Sequence, residues 1–289
     1  MRQDTRLEHV LLTFRAVQVL PLNDRQEPIR VAGGIRTASG FLRREAEGLF
    51  LYTCWHVVTG GIEMHPPKVP PVWTRPVALR VRMVRSEPYR GGWKIGGLAE
   101  VDVPLLRGTD QPTPLWVQDQ EEVDHLDINH AGYRVPRRHD IVKIPWHHSV
   151  HTEEAEVDYS RVSSLIVPGE KVLILGFPYG YSAFDREGPT PIMLTRFVAA
   201  ARGGDNPQVL LDGAGAQGMS GGPVFRETES GDLELVAIYT GAIFPDKRGY
   251  AATASANAPV YFGGMVIDSK GMLIEKTSPR INDQTRSDI

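Results

Sequence analysis

The chain has 289 residues, 41% hydrophobic and 23% charged, with a formal net charge of -3, the proportions of a globular protein with ample material for a core. That balance excludes a global basic field that would recruit nucleic acid or an anionic membrane surface. One cysteine, Cys54, excludes an intrachain disulfide framework, and no run approaches the roughly 20 apolar residues needed to span a bilayer.

The stretch from Leu7 to Leu20 is broken by Glu8, His9, Arg15 and Gln18, so it lacks the apolar centre of a signal peptide and the expected location is cytoplasmic. Val10 to Val19 reads as a strand. Ala38 to Leu42 and Gly48 to Thr53 read as two more, separated by a charged turn, Arg43-Arg44-Glu45. The spacing suits antiparallel hairpins. The prolines of His65 to Pro71 favour an extended loop. Val77 to Val84 sets Val77, Leu79, Val81 and Met83 against Ala78, Arg80 and Arg82, the alternation of a half-buried strand. Gln118 to His130 is acidic and polar and reads as an exposed loop, and Thr152 to Ser164 as a linker. Lys171 to Gly176 is almost continuously apolar, fit for a strand covered on both faces, and Leu233 to Tyr239 is similar. The polar tail after about Lys276 reads as frayed. With 29 glycines and 22 prolines and no long amphipathic helix, the expected class is all-β, in two halves with a cleft between them.

Two motifs carry chemistry. Gly218-Met219-Ser220-Gly221-Gly222-Pro223-Val224 sets a serine between glycines, which permit backbone angles that a side chain forbids. Thr53-Cys54-Trp55-His56 places a histidine just after an apolar strand. A serine hydroxyl needs a base to remove its proton, and the base needs a third group to orient it. The serine motif also satisfies the G-x-S-x-G pattern of an α/β-hydrolase, but that fold places its histidine after the serine. Here the last histidine is His151, so the surviving order is histidine, acid, serine. Alone, His56 reads as an ordinary core or surface histidine and Ser220 as a glycine-rich turn; the two together point to acyl transfer to water.

Over most of residues 10 to 265 the chain resembles the trypsin/chymotrypsin superfamily of serine proteases, in its bacterial, intracellular form. The resemblance rests on Thr53-Cys54-Trp55-His56-Val57-Val58, on His139-Asp140-Ile141-Val142-Lys143-Ile144-Pro145 and on the Gly218 to Phe225 segment. Gly169 to Gly180 and Val236 to Gly241 add to it. It implies two antiparallel six-stranded β-barrels with the active site in the cleft, residues 1–155 carrying the histidine and acid and residues 156–289 the serine. It implies a catalytic triad of His56, Asp140 and Ser220, with Asp127 as the alternative acid and Asp124 behind it. Asp140 precedes alternating apolar residues, as the family's acid does. The family's oxyanion hole falls on the backbone N–H groups of Gly218 and Ser220. Its pocket floor falls on Ala214, and one pocket wall on Tyr239, Thr240 and Gly241, which implies an uncharged, small or hydrophobic residue before the scissile bond. The family's zymogen aspartate is here Met219, which cannot pair with a freshly cut N-terminus.

Other signals read more plainly. Cys54 is expected as a small buried hydrophobe. His147, His148 and His151 have no cysteine beside them and read as a surface loop, so no metal is expected. Arg134, Arg137, Arg138 and His139 lack aromatic interleaving and read as a solvated turn. The expected activity is a serine endopeptidase acting on protein or peptide substrates without a cofactor, with room for an activating partner protein. The alternative is a binding module of the same fold, silent until a partner reshapes its cleft.

Overall fold

The computed structural model describes residues 16–31, 34–45, 47–60, 75–90, 92–108, 112–118, 127–128, 134–135, 140–148, 156–157, 166–182, 189–201, 208–213, 216–229, 233–243 and 262–266. Regular structure among them is strand, apart from a five-residue helix, α1 (Trp55–Thr59), and a 3₁₀ turn, Pro178–Gly180. The chain is all-β.

The first sheet is built from β1 (Val17–Leu22), β2 (Ala38–Glu45), β3 (Gly48–Thr53), β4 (Ala78–Tyr89), β5 (Gly92–Pro104), β6 (Val117–Gln118), β7 (Val142–Pro145) and β8 (Glu156–Val157). Its order is β6-β7-β3-β2-β1-β4-β5, and β8 lies parallel to β2. The second sheet holds β9 (Lys171–Gly176), β10 (Ile192–Ala201), β11 (Gln208–Leu211), β12 (Pro223–Glu227), β13 (Leu233–Ile243) and β14 (Phe262–Val266). Its order, β9-β10-β11-β14-β13-β12, returns to β9. The expectation of two six-stranded barrels is corrected in the first half. That sheet has eight strands, and among the described residues its ends, β6 and β5, do not pair.

The two halves share a core. Along β9 the side chains alternate: Val172 and Ile174 join the cluster inside the second sheet, while Leu173 and Leu175 join the cluster of the first. All four are buried, because successive side chains of a strand point to opposite faces. A strand buried on both faces must be apolar throughout, which accounts for its continuous apolar run. Phe225 and Ile238 extend the first cluster, and Val224, Val236 and Met219 the second.

Several elements differ from expectation. The first strand spans Val17–Leu22 rather than Val10 to Val19. Arg43, Arg44 and Glu45 are strand, not turn. Glu45 accepts from the Tyr52 hydroxyl and, at 2.5 Å, from Lys143 Nζ on β7, so charges that read as a turn are paired within the sheet. Val77 precedes β4, whose partner β5 extends the pair into a long hairpin. Within Gln118 to His130, Asp127–Ile128 pairs with Arg134–Val135. Leu233 to Tyr239 continues to Ile243.

Candidate active site

The position of His56 follows from strand register. Val142 of β7 pairs antiparallel with Thr53 of β3, so the residues before Val142 run beside those after Thr53. Asp140 thereby meets His56, its Oδ2 lying 2.6 Å from Nδ1 and its Oδ1 accepting the His56 backbone N–H at 2.9 Å. A carboxylate on Nδ1 makes that nitrogen the protonated one and leaves Nε2 as the free base. The helix is pinned by buried Val57 and Val58 and stops at Gly60, whose φ of 96° a side chain would resist. Arg36, buried, donates to the carbonyls of Gly60 at 2.7 Å and His56 at 3.0 Å, capping the helix end with a cation.

The serine sits on a turn with Gly218 at φ 94° and Gly221 at φ 89°. A Cβ at Gly218 would strike the Phe177 carbonyl, and one at Gly221 the Ser39 carbonyl. The Ser220 hydroxyl reaches the Thr240 carbonyl at 3.4 Å, and a Cβ at Gly241 would stand 3.9 Å from Ser220 Oγ. Among the described residues no protein acceptor takes up the N–H of Gly218 or of Ser220.

One acceptor joins the two segments. The Tyr239 carbonyl accepts the Gly221 N–H at 2.7 Å and the Cys54 thiol at 3.4 Å, so the residue after Ser220 and the residue two before His56 meet on β13. Ser39 of β2 adds a second tie, its N–H donating to the Ser220 carbonyl at 2.8 Å, while Thr53 Oγ1 donates to the Ser39 carbonyl at 2.8 Å.

Cys54 is fully buried, and burial, followed by nearby Asp140, pushes its thiol well above the ordinary value. Its sulfur and ligand atoms of His56 and Asp140 lie within 4.8 Å of one another. Nδ1 of His56 is committed to Asp140, so the cluster is the hydrogen-bonded setting of the histidine. Met219 is buried in the second core.

The remaining expected site residues fall as follows. Thr240 and Gly241 border the Ser220 hydroxyl. The Tyr239 side chain is not on a pocket wall: it is buried inside the second sheet, where burial raises its phenol to about 12, and its backbone meets the turn, the carbonyl accepting from Gly221 and the N–H donating to Gly222 O at 2.9 Å. Ala237 and Tyr239, two apart on β13, both face that core. Ala214, Asp124, His151, Arg137, Arg138 and His139 lie outside the described residues. Asp127 pairs through its backbone with Val135. His147 is exposed, and His148 stacks edge-on against Trp146 with ring centroids 5.0 Å apart. Sequence reasoning did not find Arg36 or Ser39, whose partners are backbone carbonyls far along the chain.

No protein-family model and no curated protein matches the chain. Among solved structures, an inactive-form mutant of Rv3671c from M. tuberculosis H37Rv is similar at 13% identity and a TM-score of 0.41, covering 89% of this chain and 83% of that one. The serine endoprotease from Yersinia pestis is similar at 16% identity and a TM-score of 0.42, covering 88% of this chain and 58% of that one. At these scores neither likeness decides the chemistry.

Proposed function

We propose that the chain is a serine endopeptidase in which His56, Asp140 and Ser220 act as a catalytic triad across the cleft between two halves, residues 1–155 and 156–289. The observation that carries the reading is the two-point hold of Asp140 on His56. It is supported by the glycine-flanked Ser220 turn tied to the same β13 carbonyl as Cys54.

In this reading Nε2 of His56 takes the Ser220 hydroxyl proton as Oγ attacks the scissile carbonyl carbon. The carbonyl electrons move to oxygen, and the N–H groups of Gly218 and Ser220 receive the oxyanion. The C–N bond then breaks, His56 gives its proton to the leaving amine, and an acyl-enzyme remains on Ser220. Water, deprotonated by His56, hydrolyses that ester and restores the hydroxyl. Asp140 orients the imidazole and stabilises its charged form. No cofactor takes part.

The substrate is a protein or peptide chain, with a small or hydrophobic residue before the scissile bond. Thr240 and Gly241 would flank it, and Ala214 would floor its pocket. A single cysteine that is buried suits work in a reducing compartment on cytosolic targets. A second reading, a module silent until a partner reshapes the cleft, draws on the Ser220 hydroxyl being turned to the Thr240 carbonyl. A peptide-library digest separates the two. Cleavage by the wild type but not by Ser220→Ala supports the peptidase, and no cleavage by either supports the silent module.

A further inference from the structure

All four carbonyls of the nucleophile turn are held. Gln217 O accepts the Tyr179 N–H at 2.6 Å, Gly218 O accepts Ser39 Oγ at 2.7 Å, Met219 O accepts the Gly222 N–H at 2.9 Å and Ser220 O accepts the Ser39 N–H at 2.8 Å. In a planar trans peptide the C=O and the following N–H point in opposite directions. The hold on Gln217 O therefore aims the Gly218 N–H, and the hold on Met219 O aims the Ser220 N–H. The peptide between those two donors carries Gly218 O, and its holder is the only side chain of the four.

The direction of that hydrogen bond is determined. The Phe177 N–H donates to Ser39 Oγ at 3.1 Å. An N–H cannot accept, so it occupies a hydroxyl lone pair and leaves the single hydroxyl proton for Gly218 O. Ser39 is fully buried, so water does not substitute. A Cβ on Gly176 would come 2.6 Å from Ser39 Oγ, so the hydroxyl occupies space that the glycine leaves open.

We propose that Ser39 is a positioning residue for the oxyanion hole, its hydroxyl linking the Phe177 amide to the Gly218 carbonyl and so fixing the peptide between the two N–H donors. The inference rests on the peptidase reading above. Without the hydroxyl, that peptide keeps only the longer bond from its Met219 N–H to Ala216 O, 3.2 Å, against rotation at Gly218, where glycine accepts both signs of φ. The two N–H groups would then no longer converge on one oxygen.

Ser39→Ala tests this against a cleaved peptide from the library. Loss of one direct oxyanion donor costs about 10²–10³ in turnover, so an indirect loss is expected at about tenfold or more in kcat, with KM held within about twofold. The inhibition constant of a peptide aldehyde, which forms a tetrahedral adduct on Ser220, should weaken in parallel with kcat/KM. A merely structural Ser39 would lower the melting temperature and leave kcat and aldehyde affinity unchanged below it, which overturns the proposal. If Ser39→Ala does not fold, Ser39→Cys, with a weaker donor, replaces it; an intermediate fall in kcat supports the proposal and a wild-type kcat overturns it. If the wild type cleaves nothing, the peptidase reading fails, and a crystal structure of the variant decides Ser39. A rotated Gly218–Met219 peptide supports its role, and a superimposable one overturns it.

Discussion

Asp140 holds His56 at two points, with one carboxylate oxygen on the ring Nδ1 at 2.6 Å and the other on the backbone N–H at 2.9 Å. The pair fixes both the ring's tautomer and the position of the helix start that carries it. Replacing Asp140 by Asn keeps the shape and removes the charge. In the serine-protease triad that change costs about 10⁴ in kcat, and we expect a loss of that order in kcat/KM here. Asp127→Asn, whose strand pairs with Val135, should leave turnover within about twofold. Steady-state kinetics on the two variants checks the assignment, and a reversed pattern would move the acid to Asp127.

Arg36 donates to both Gly60 and His56 carbonyls from a buried position. Arg36→Ala removes both donors from the end of the His56 helix. We expect a loss of about 3 kcal/mol or more in stability, since hydrogen bonds to charged groups are each worth about 1.5–3 kcal/mol, together with lower kcat. Urea denaturation and kinetics measure the two effects. Arg36→Lys cannot fork to two carbonyls and should recover only part of the stability.

The Glu45–Lys143 pair joins β2 to β7, with side chains 14% and 9% exposed. Lys143 also lies 4.6 Å from the centroid of the Phe50 ring. Glu45→Ala leaves the ammonium without its carboxylate and the Tyr52 hydroxyl without its acceptor. A loss of about 3 kcal/mol is expected, because breaking a buried pair from one side typically costs about 3–5 kcal/mol. The double variant Glu45→Leu/Lys143→Met should recover most of it, read as a shift in denaturation midpoint.

Alkali should destabilise the fold. Burial raises Cys54 well above its ordinary value of 9.0 and raises Tyr239 from 10.0 to about 12. The folded state therefore keeps protons that the unfolded chain releases, and stability is fully present below pH 9 and falls as pH rises past it. Each such group contributes a slope of at most about 1.4 kcal/mol per pH unit between its unfolded and folded values. Melting temperatures from pH 7 to 10.5 should decline, and Cys54→Ala should flatten the first part of the decline. Cys54 of the folded protein should also resist alkylation at pH 8.

Much of the candidate site was legible because the proposed chemistry demands rare residue types in a fixed order. His56 and Ser220 stood out by motif, and no histidine follows Ser220 to serve another fold. The Lys171–Gly176 strand was legible because burial on both faces leaves no polar position between Val172 and Leu175. Ser39 and Arg36 were not legible. Their work is done on backbone carbonyls, and Ser39 meets Gly218 across 179 residues of chain, which no local pattern announces. Glu45 was misread because a charged triplet looks like a turn until Tyr52 and Lys143 supply its partners. The inward Tyr239 was misplaced because the motif fixed its backbone and not the face of β13 on which its side chain falls.

The proposed chemistry requires the Ser220 hydroxyl to be an activated nucleophile. The most direct measurement is labelling of folded protein with a fluorophosphonate, the adduct located by mass spectrometry. One adduct on Ser220 is expected in the wild type, and none in Ser220→Ala or His56→Ala over the same interval. Folded wild type that stays unlabelled, or Ser220→Ala that labels at the wild-type rate, would contradict it.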